Sequence, residues 1–166
     1  MSPRAISRAM NILEDKSRYI PGIMDFKAAI DNGEKNQTYT TPAISTLFLL
    51  NEQVKRMNKL GYDQVQKLAK AKADLVYGYA VEKPYLSPFI AEEQYRSWAV
   101  ATVNLDEKYP ANDLIKRLSS LGVAYDIGSY RKLGKNQFRI GMFHNVELED
   151  LDKLMKIICQ AVEELA

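Results

Sequence analysis

Arg96-Ser97-Trp98-Ala99-Val100-Ala101-Thr102-Val103-Asn104-Leu105 alternates residue by residue. Trp98, Val100 and Thr102 fall on one side and Ala99, Ala101 and Val103 on the other, which is the period-2 pattern of a strand. Toward the C-terminus, Pro110 leads into a segment with Leu114, Ile115, Leu118 and Leu121 at helical spacing, stopped by Gly122. Val123–Ile127 reads as a second strand. Gln137–Phe143 reads as a third, with Phe138, Ile140 and Met142 on one face. Leu151, Leu154, Met155, Ile158, Val162 and Leu165 give the apolar stripe of a closing helix that starts near Glu149. The order from residue 94 is β-α-β-β-α. The fold class that follows is α+β, a small layer with helices packed on one sheet face.

Upstream of this layer the pattern is helical. Tyr62 to Val81 carries Val65, Leu68, Leu75, Val76 and Tyr79 on one face and lysines on the other. Pro84 and Pro88 bracket a loop. A helix from Pro42 to about Leu60 is apolar almost all round in its first half, at Ile44, Leu47, Phe48, Leu49 and Leu50. Such a helix is expected to be buried on most sides, in a larger body or against another chain. Ser2 and Pro3 form a capped helix start, followed by Ile6, Met10 and Leu13. Ile23–Ile30 reads as a short helix between the breaks Pro21-Gly22 and Asn32-Gly33.

Composition narrows the function classes. The 166 residues carry a net charge of +2, with 46% hydrophobic residues. That supplies a core but no polybasic stripe, which argues against a dedicated nucleic-acid binder or a membrane-surface protein. No apolar run reaches transmembrane length, and the chain opens on no secretory signal pattern. The single cysteine, Cys159, cannot form an internal disulfide, which fits a cytoplasmic setting. It sits in a helical pattern beside Ile157 and Ile158 and reads as a buried structural thiol. With one cysteine and one histidine, zinc sites built on those ligands are excluded.

Two stretches concentrate the chemistry. In Asn36-Gln37-Thr38-Tyr39-Thr40-Thr41-Pro42, two hydroxyls precede a proline and a helix. Thr41 as cap and Pro42 at the first helical position would leave free N–H groups facing outward at the positive end of the helix dipole, a site suited to phosphate. The same pattern also serves a plain helix cap. In Tyr130-Arg131-Lys132-Leu133-Gly134-Lys135-Asn136-Gln137-Phe138-Arg139, four cations surround one glycine. Arg139 points opposite to Phe138 and Ile140, and its planar fork matches a carboxylate or phosphate. The alternative reading of this stretch is a solvated basic hairpin. His144 reads as a surface turn histidine. Glu147, Glu149, Asp150 and Asp152 read as carboxylates favoured by a helix start.

The two stretches together resemble phosphoserine aminotransferase of the actinobacterial type, as do Met1-Ser2-Pro3, Ser87-Pro88-Phe89 and Arg96-Ser97 in the same order. The resemblance covers essentially the whole chain but only the C-terminal half of the enzyme. It implies a fold type I pyridoxal-phosphate transferase. Residues 1–60 are then a helical remnant of the large domain, including its interface helix, and 61–166 the small C-terminal domain. It implies a cytoplasmic homodimer that exchanges an amino group between phosphoserine and 2-oxoglutarate in serine biosynthesis, with no nucleic-acid, membrane or metal partner.

By the same resemblance, Thr40 and Thr41 contact the cofactor phosphate of the neighbouring subunit, Thr40 standing where asparagine is usual. Arg139 binds the substrate α-carboxylate. Tyr130 and Arg131 lie at the substrate phosphate, Tyr130 in place of the usual histidine. The Schiff-base lysine, the ring-stacking tryptophan and the aspartate that partners the pyridine nitrogen belong to the half not matched. No residue here is therefore assigned as catalytic. The chain alone is expected to be inactive, to need the missing N-terminal half, and to hold no pyridoxal phosphate by itself. The alternative function is a stand-alone, non-catalytic α+β module that binds small anions or RNA. Against RNA, the strand at 137–143 lacks the basic-glycine-aromatic signature.

Overall fold

The computed structural model describes residues 2–130 and 133–165. The chain divides into two compact units, Met1–Val54 and Lys55–Ala166. The N-terminal unit is helical. In α1 (Pro3–Glu14) the hydroxyl of Ser2 accepts from the Ala5 amide at 3.3 Å, with Pro3 in the first turn. A 3-10 turn at Gly22–Met24 precedes α2 (Phe26–Gly33), which the Asp25 carboxylate caps through the amides of Lys27 and Ala28. The helix expected over Ile23–Ile30 is thus split in two by its own cap.

The next helix, α3 (Ile44–Leu60), begins later than Pro42. The Ile44 amide donates to the Pro42 carbonyl, and the Ala43 carbonyl accepts the first helical bond from Leu47 at 3.0 Å. Ala43 therefore holds the cap position, Pro42 lies outside the helix, and the Thr41 hydroxyl does not cap it. None of the residues of α1, α2 or α3 is buried. Leu47, Phe48, Leu49 and Leu50 are each more than half exposed. Burial is the dominant favourable term in folding, so this unit has little of its own to hold it.

The C-terminal unit holds the core. Gly61, at φ +85°, ends α3 and starts α4 (Tyr62–Glu82) in a backbone conformation that side chains resist. Next come β1 (Leu86–Pro88), β2 (Val100–Leu105), α5 (Ala111–Ser120), β3 (Gln137–Gly141) and α6 (Leu148–Glu163). The sheet is antiparallel in the order β1-β2-β3, with Leu86 opposite Leu105 and Thr102 opposite Arg139. Ala101, Val103, Leu105, Phe138 and Ile140 point to one side and meet Val76, Ala80, Met155, Ile158 and Val162 of α4 and α6 in one continuous core.

The α+β class with helices over one sheet face is the architecture observed, but the strands within it differ from the expected order. Residues 96–99 are not part of β2. The Ser97 hydroxyl accepts from the amides of Ala99 and Val100, and this local turn replaces ladder bonds. Pro84–Pro88 is not simply a loop, because β1 pairs there on the sheet edge, where a residue without an N–H is tolerated. Val123–Ile127 forms no strand. Asp126 takes a left-handed φ of +54°, which interrupts extended backbone, and a single bridge between Gly128 and Phe138 is what pairs with β3. The element order is therefore β-β-α-β-α.

Candidate functional site

Alternation along β3 sets the site. Phe138 and Ile140 are 1–2% exposed beneath the sheet, so Arg139 between them emerges on the opposite face. Its amide donates to the Ile127 carbonyl at 2.8 Å, and with the Gly128 bridge this fastens the 127–130 segment beside the strand. Tyr130, Ser129 and Asp126 are thereby carried to the same groove as Arg139. Asn112 of α5 and Lys135 complete its polar lining, in an open cavity of ≈ 1000 Å³.

Asn136, next to Lys135, braces the segments around the groove. Its side-chain amide donates to the carbonyls of Leu105, Asp106 and Tyr109, and its Oδ1 accepts from the Ala111 amide at 2.8 Å. One side chain thus ties the start of β3 to the end of β2 and the first turn of α5. Lys135 is steadied by the ring of Phe89, 5.5 Å from its ammonium. Gly134, at φ +60°, makes the turn that precedes it.

The electrostatics are lopsided. Among the described residues, the half-buried Arg139 guanidinium has no ion pair and no side-chain hydrogen bond. The carboxylate of Asp126 lines the same groove but forms no salt bridge with it. An arginine kept from water usually finds an acid. Arg139 instead offers its fork to the groove, where a carboxylate or phosphate can accept two parallel bonds.

The residues proposed from sequence are found in two places. Arg139 and Tyr130 share the groove, and Arg131 lies outside the described residues. Thr40 and Thr41 belong to the N-terminal unit, where both are exposed and neither hydroxyl has a hydrogen-bond partner among the described residues. Asn112, Asp126, Ser129 and Phe89 were not legible as site residues. The clue available was the run Asp126-Ile127-Gly128-Ser129, which is turn-like in composition rather than strand-like. Cys159 is 4% exposed, and burial pushes its thiol up, away from the reactive thiolate. His144 is in the turn after β3, where its backbone carbonyl accepts from Lys72.

No family model matches the chain. Individual relatives do. It is 38% identical over 166 residues to phosphoserine aminotransferase of Rhodococcus opacus (strain B4), covering 99% of this chain and 44% of that protein. It is 39% identical over 155 residues to phosphoserine aminotransferase of Corynebacterium glutamicum (strain R), covering 93% and 41%. The chain thus spans less than half the length of these curated relatives. Among solved structures, a phosphoserine aminotransferase from Cytophaga hutchinsonii superposes with a TM-score of 0.81 at 23% identity, over 98% of this chain and 44% of that one. Alanine–glyoxylate aminotransferase from Nostoc sp. gives 0.79 at 18% identity, over 98% and 42%. Two enzymes named for different substrates fit almost equally well, so the fold alone does not select one. The fold is that of fold type I aminotransferases, and by sequence the chain is a homologue of the C-terminal part of phosphoserine aminotransferase.

Proposed function

We propose that this chain supplies the substrate-anion side of a phosphoserine aminotransferase. The intact enzyme exchanges an amino group between phosphoserine and 2-oxoglutarate. The observation that carries the reading is the unspent guanidinium of Arg139, held by β3 in a groove with Tyr130 and Lys135. Arg139 takes the substrate α-carboxylate through its planar fork. Tyr130 and the neighbouring Arg131 take the phosphate. The phosphate of phosphoserine and its carboxylate are both anions, and a groove with more cations than carboxylates favours a substrate carrying both.

In this reading residues 1–60 are the end of a large cofactor domain and 61–166 the small domain. The enzyme is a cytoplasmic homodimer. Thr40 and Thr41 meet the phosphate of pyridoxal phosphate across the dimer. The residues fit that end of the cofactor. Both hydroxyls are exposed and without partners among the described residues, and the Ser45 and Thr46 amides at the start of α3 have no backbone acceptor. The residues that hold its ring and its anchoring lysine belong to the part of the relatives that this chain does not span. The chain alone is accordingly inactive and binds no cofactor. When bound, pyridoxal phosphate supplies the electron sink for amino-group exchange. The side chains described above bind and orient the anions at either end of the reactants.

The test is complementation. The chain is co-expressed with the N-terminal part of the Rhodococcus relative, and transamination of phosphoserine with 2-oxoglutarate is measured with added pyridoxal phosphate. Activity is expected. Arg139→Ala is expected to cost about 2–5 kcal/mol in kcat/KM, the cost of removing one partner from a desolvated charge pair. No transamination, or an Arg139→Ala assembly with unchanged kcat/KM, overturns the assignment.

A further inference from the structure

The C-terminal unit contains a buried cation that forms no ion pair among the described residues, outside the lining of the Arg139 groove. Lys72 of α4 is only 4% exposed. Its ammonium donates to the carbonyls of Phe143 at 3.0 Å and His144 at 3.4 Å. An ammonium has three donors and a full charge, so two neutral carbonyls leave one donor and the charge unanswered. No carboxylate is in ion-pair contact with it among the described residues. Its helical neighbours three and four positions away, Leu68, Ala69, Leu75 and Val76, are all apolar, so α4 itself offers no acid. Lys70, two residues earlier and on the exposed side, does have one, in Asp74.

Lys72 lines a cavity of ≈ 220 Å³ whose other walls include Leu60, Val65, Leu68, Ala69, Met142 and Trp98. Apart from Lys72 and His144 the lining is apolar, and it contains one buried cation and no acidic side chain. We propose that this cavity binds a small monocarboxylate with an apolar tail. The carboxylate accepts from the Lys72 ammonium, and the tail lies against Leu68, Val65 and Met142. One buried cation matches one negative charge, whereas a dianionic phosphate would leave a charge in an apolar wall. The size suits a short alkyl or single-ring acid. The site shares no lining residue with the Arg139 groove and does not depend on the transaminase reading.

Trp98 is the chain's single tryptophan and stands on the cavity wall, so its fluorescence reports occupancy. The full chain is titrated with sodium hexanoate, and with acetate, hexylamine and inorganic phosphate as comparisons. Saturable binding of hexanoate is expected, tighter than acetate, with no saturation by hexylamine or phosphate. Lys72→Met, which keeps the length and removes the charge, is expected to weaken hexanoate about tenfold or more. Circular dichroism checks its fold. Ala69→Phe fills the cavity while retaining Lys72, and should also abolish hexanoate binding if Lys72→Met fails to fold. Arg139→Ala should leave the titration unchanged. Absence of saturation by hexanoate, equal binding of hexylamine or phosphate, or binding indifferent to both cavity variants overturns the proposal and leaves Lys72 as a clamp on the turn after β3.

Discussion

Replacing Asn136 by alanine should destabilise the C-terminal unit far more than its half-buried position suggests. The substitution removes the acceptor at the first turn of α5, where the Ala111 amide donates at 2.8 Å. It also removes the donor shared by the carbonyls of Leu105, Asp106 and Tyr109, at 3.1, 3.1 and 2.9 Å. Loss of a helix cap costs about 1 kcal/mol. Each poorly solvated carbonyl left short of a donor adds about 1 kcal/mol, and Leu105 and Tyr109 are buried residues. The sum is about 2–4 kcal/mol, which moves a urea midpoint by about 1–2 M for a domain of this size. Asn136→Asp sharpens the test. It keeps the acceptor for Ala111 but turns a carboxylate toward three carbonyl oxygens. At neutral pH it should be at least as damaging as alanine, and it should partly recover when the carboxyl is protonated and can donate once. Equilibrium urea unfolding followed by circular dichroism reads both variants. An alanine variant within about 0.5 kcal/mol of the parent would refute the idea that this side chain ties β3 to β2 and α5, since that is the scatter of ordinary surface substitutions.

Other outcomes follow from the same geometry. Phe138→Ala empties a 1% exposed position on the core side of β3 and should cost about 3–5 kcal/mol in urea unfolding. The Tyr79 phenol is pushed up to about 12, first by burial and then by its hydrogen bond to Asp152. A group raised in the folded state contributes stability that is complete below its unfolded value near 10 and is lost as pH rises through about 12. Urea midpoints should fall over that window in the parent and less steeply in Tyr79→Phe. At the acid end, the Lys156 ammonium and then the Tyr79 hydroxyl hold the Asp152 carboxyl below its usual range. That contribution is present above the ordinary carboxylate value and is lost as pH falls through the depressed one. Finally, Leu47, Phe48, Leu49 and Leu50 are more than half exposed on α3, so sedimentation should show concentration-dependent self-association that Phe48→Glu reduces. A monomer at every concentration would contradict this.

Much of the layer was legible from period alone. The stripes of α4 and α6, the capped start at Ser2 and the core side of β3 are local patterns, and local sterics and amphipathicity enforce them wherever the segment lies. The outward direction of Arg139 was legible for the same reason, because a strand between Phe138 and Ile140 has only one other face. Non-local choices were not legible. Ser97 turns its hydroxyl back on its own backbone and shortens β2, and Asp126 adopts a left-handed φ that removes a strand its neighbours suggest. Pro42 falls outside α3 because the Ile44 amide closes a tighter turn first. The meeting of Tyr130, Lys135 and Arg139 depends on a bridge at Gly128 and on one asparagine joining three segments. The burial of Lys72 depends on carbonyls some seventy residues away. Residue type and spacing determine which way a side chain leaves its own element. Which other segments face it is decided only when distant parts of the chain exchange water for one another, and no local pattern encodes that exchange.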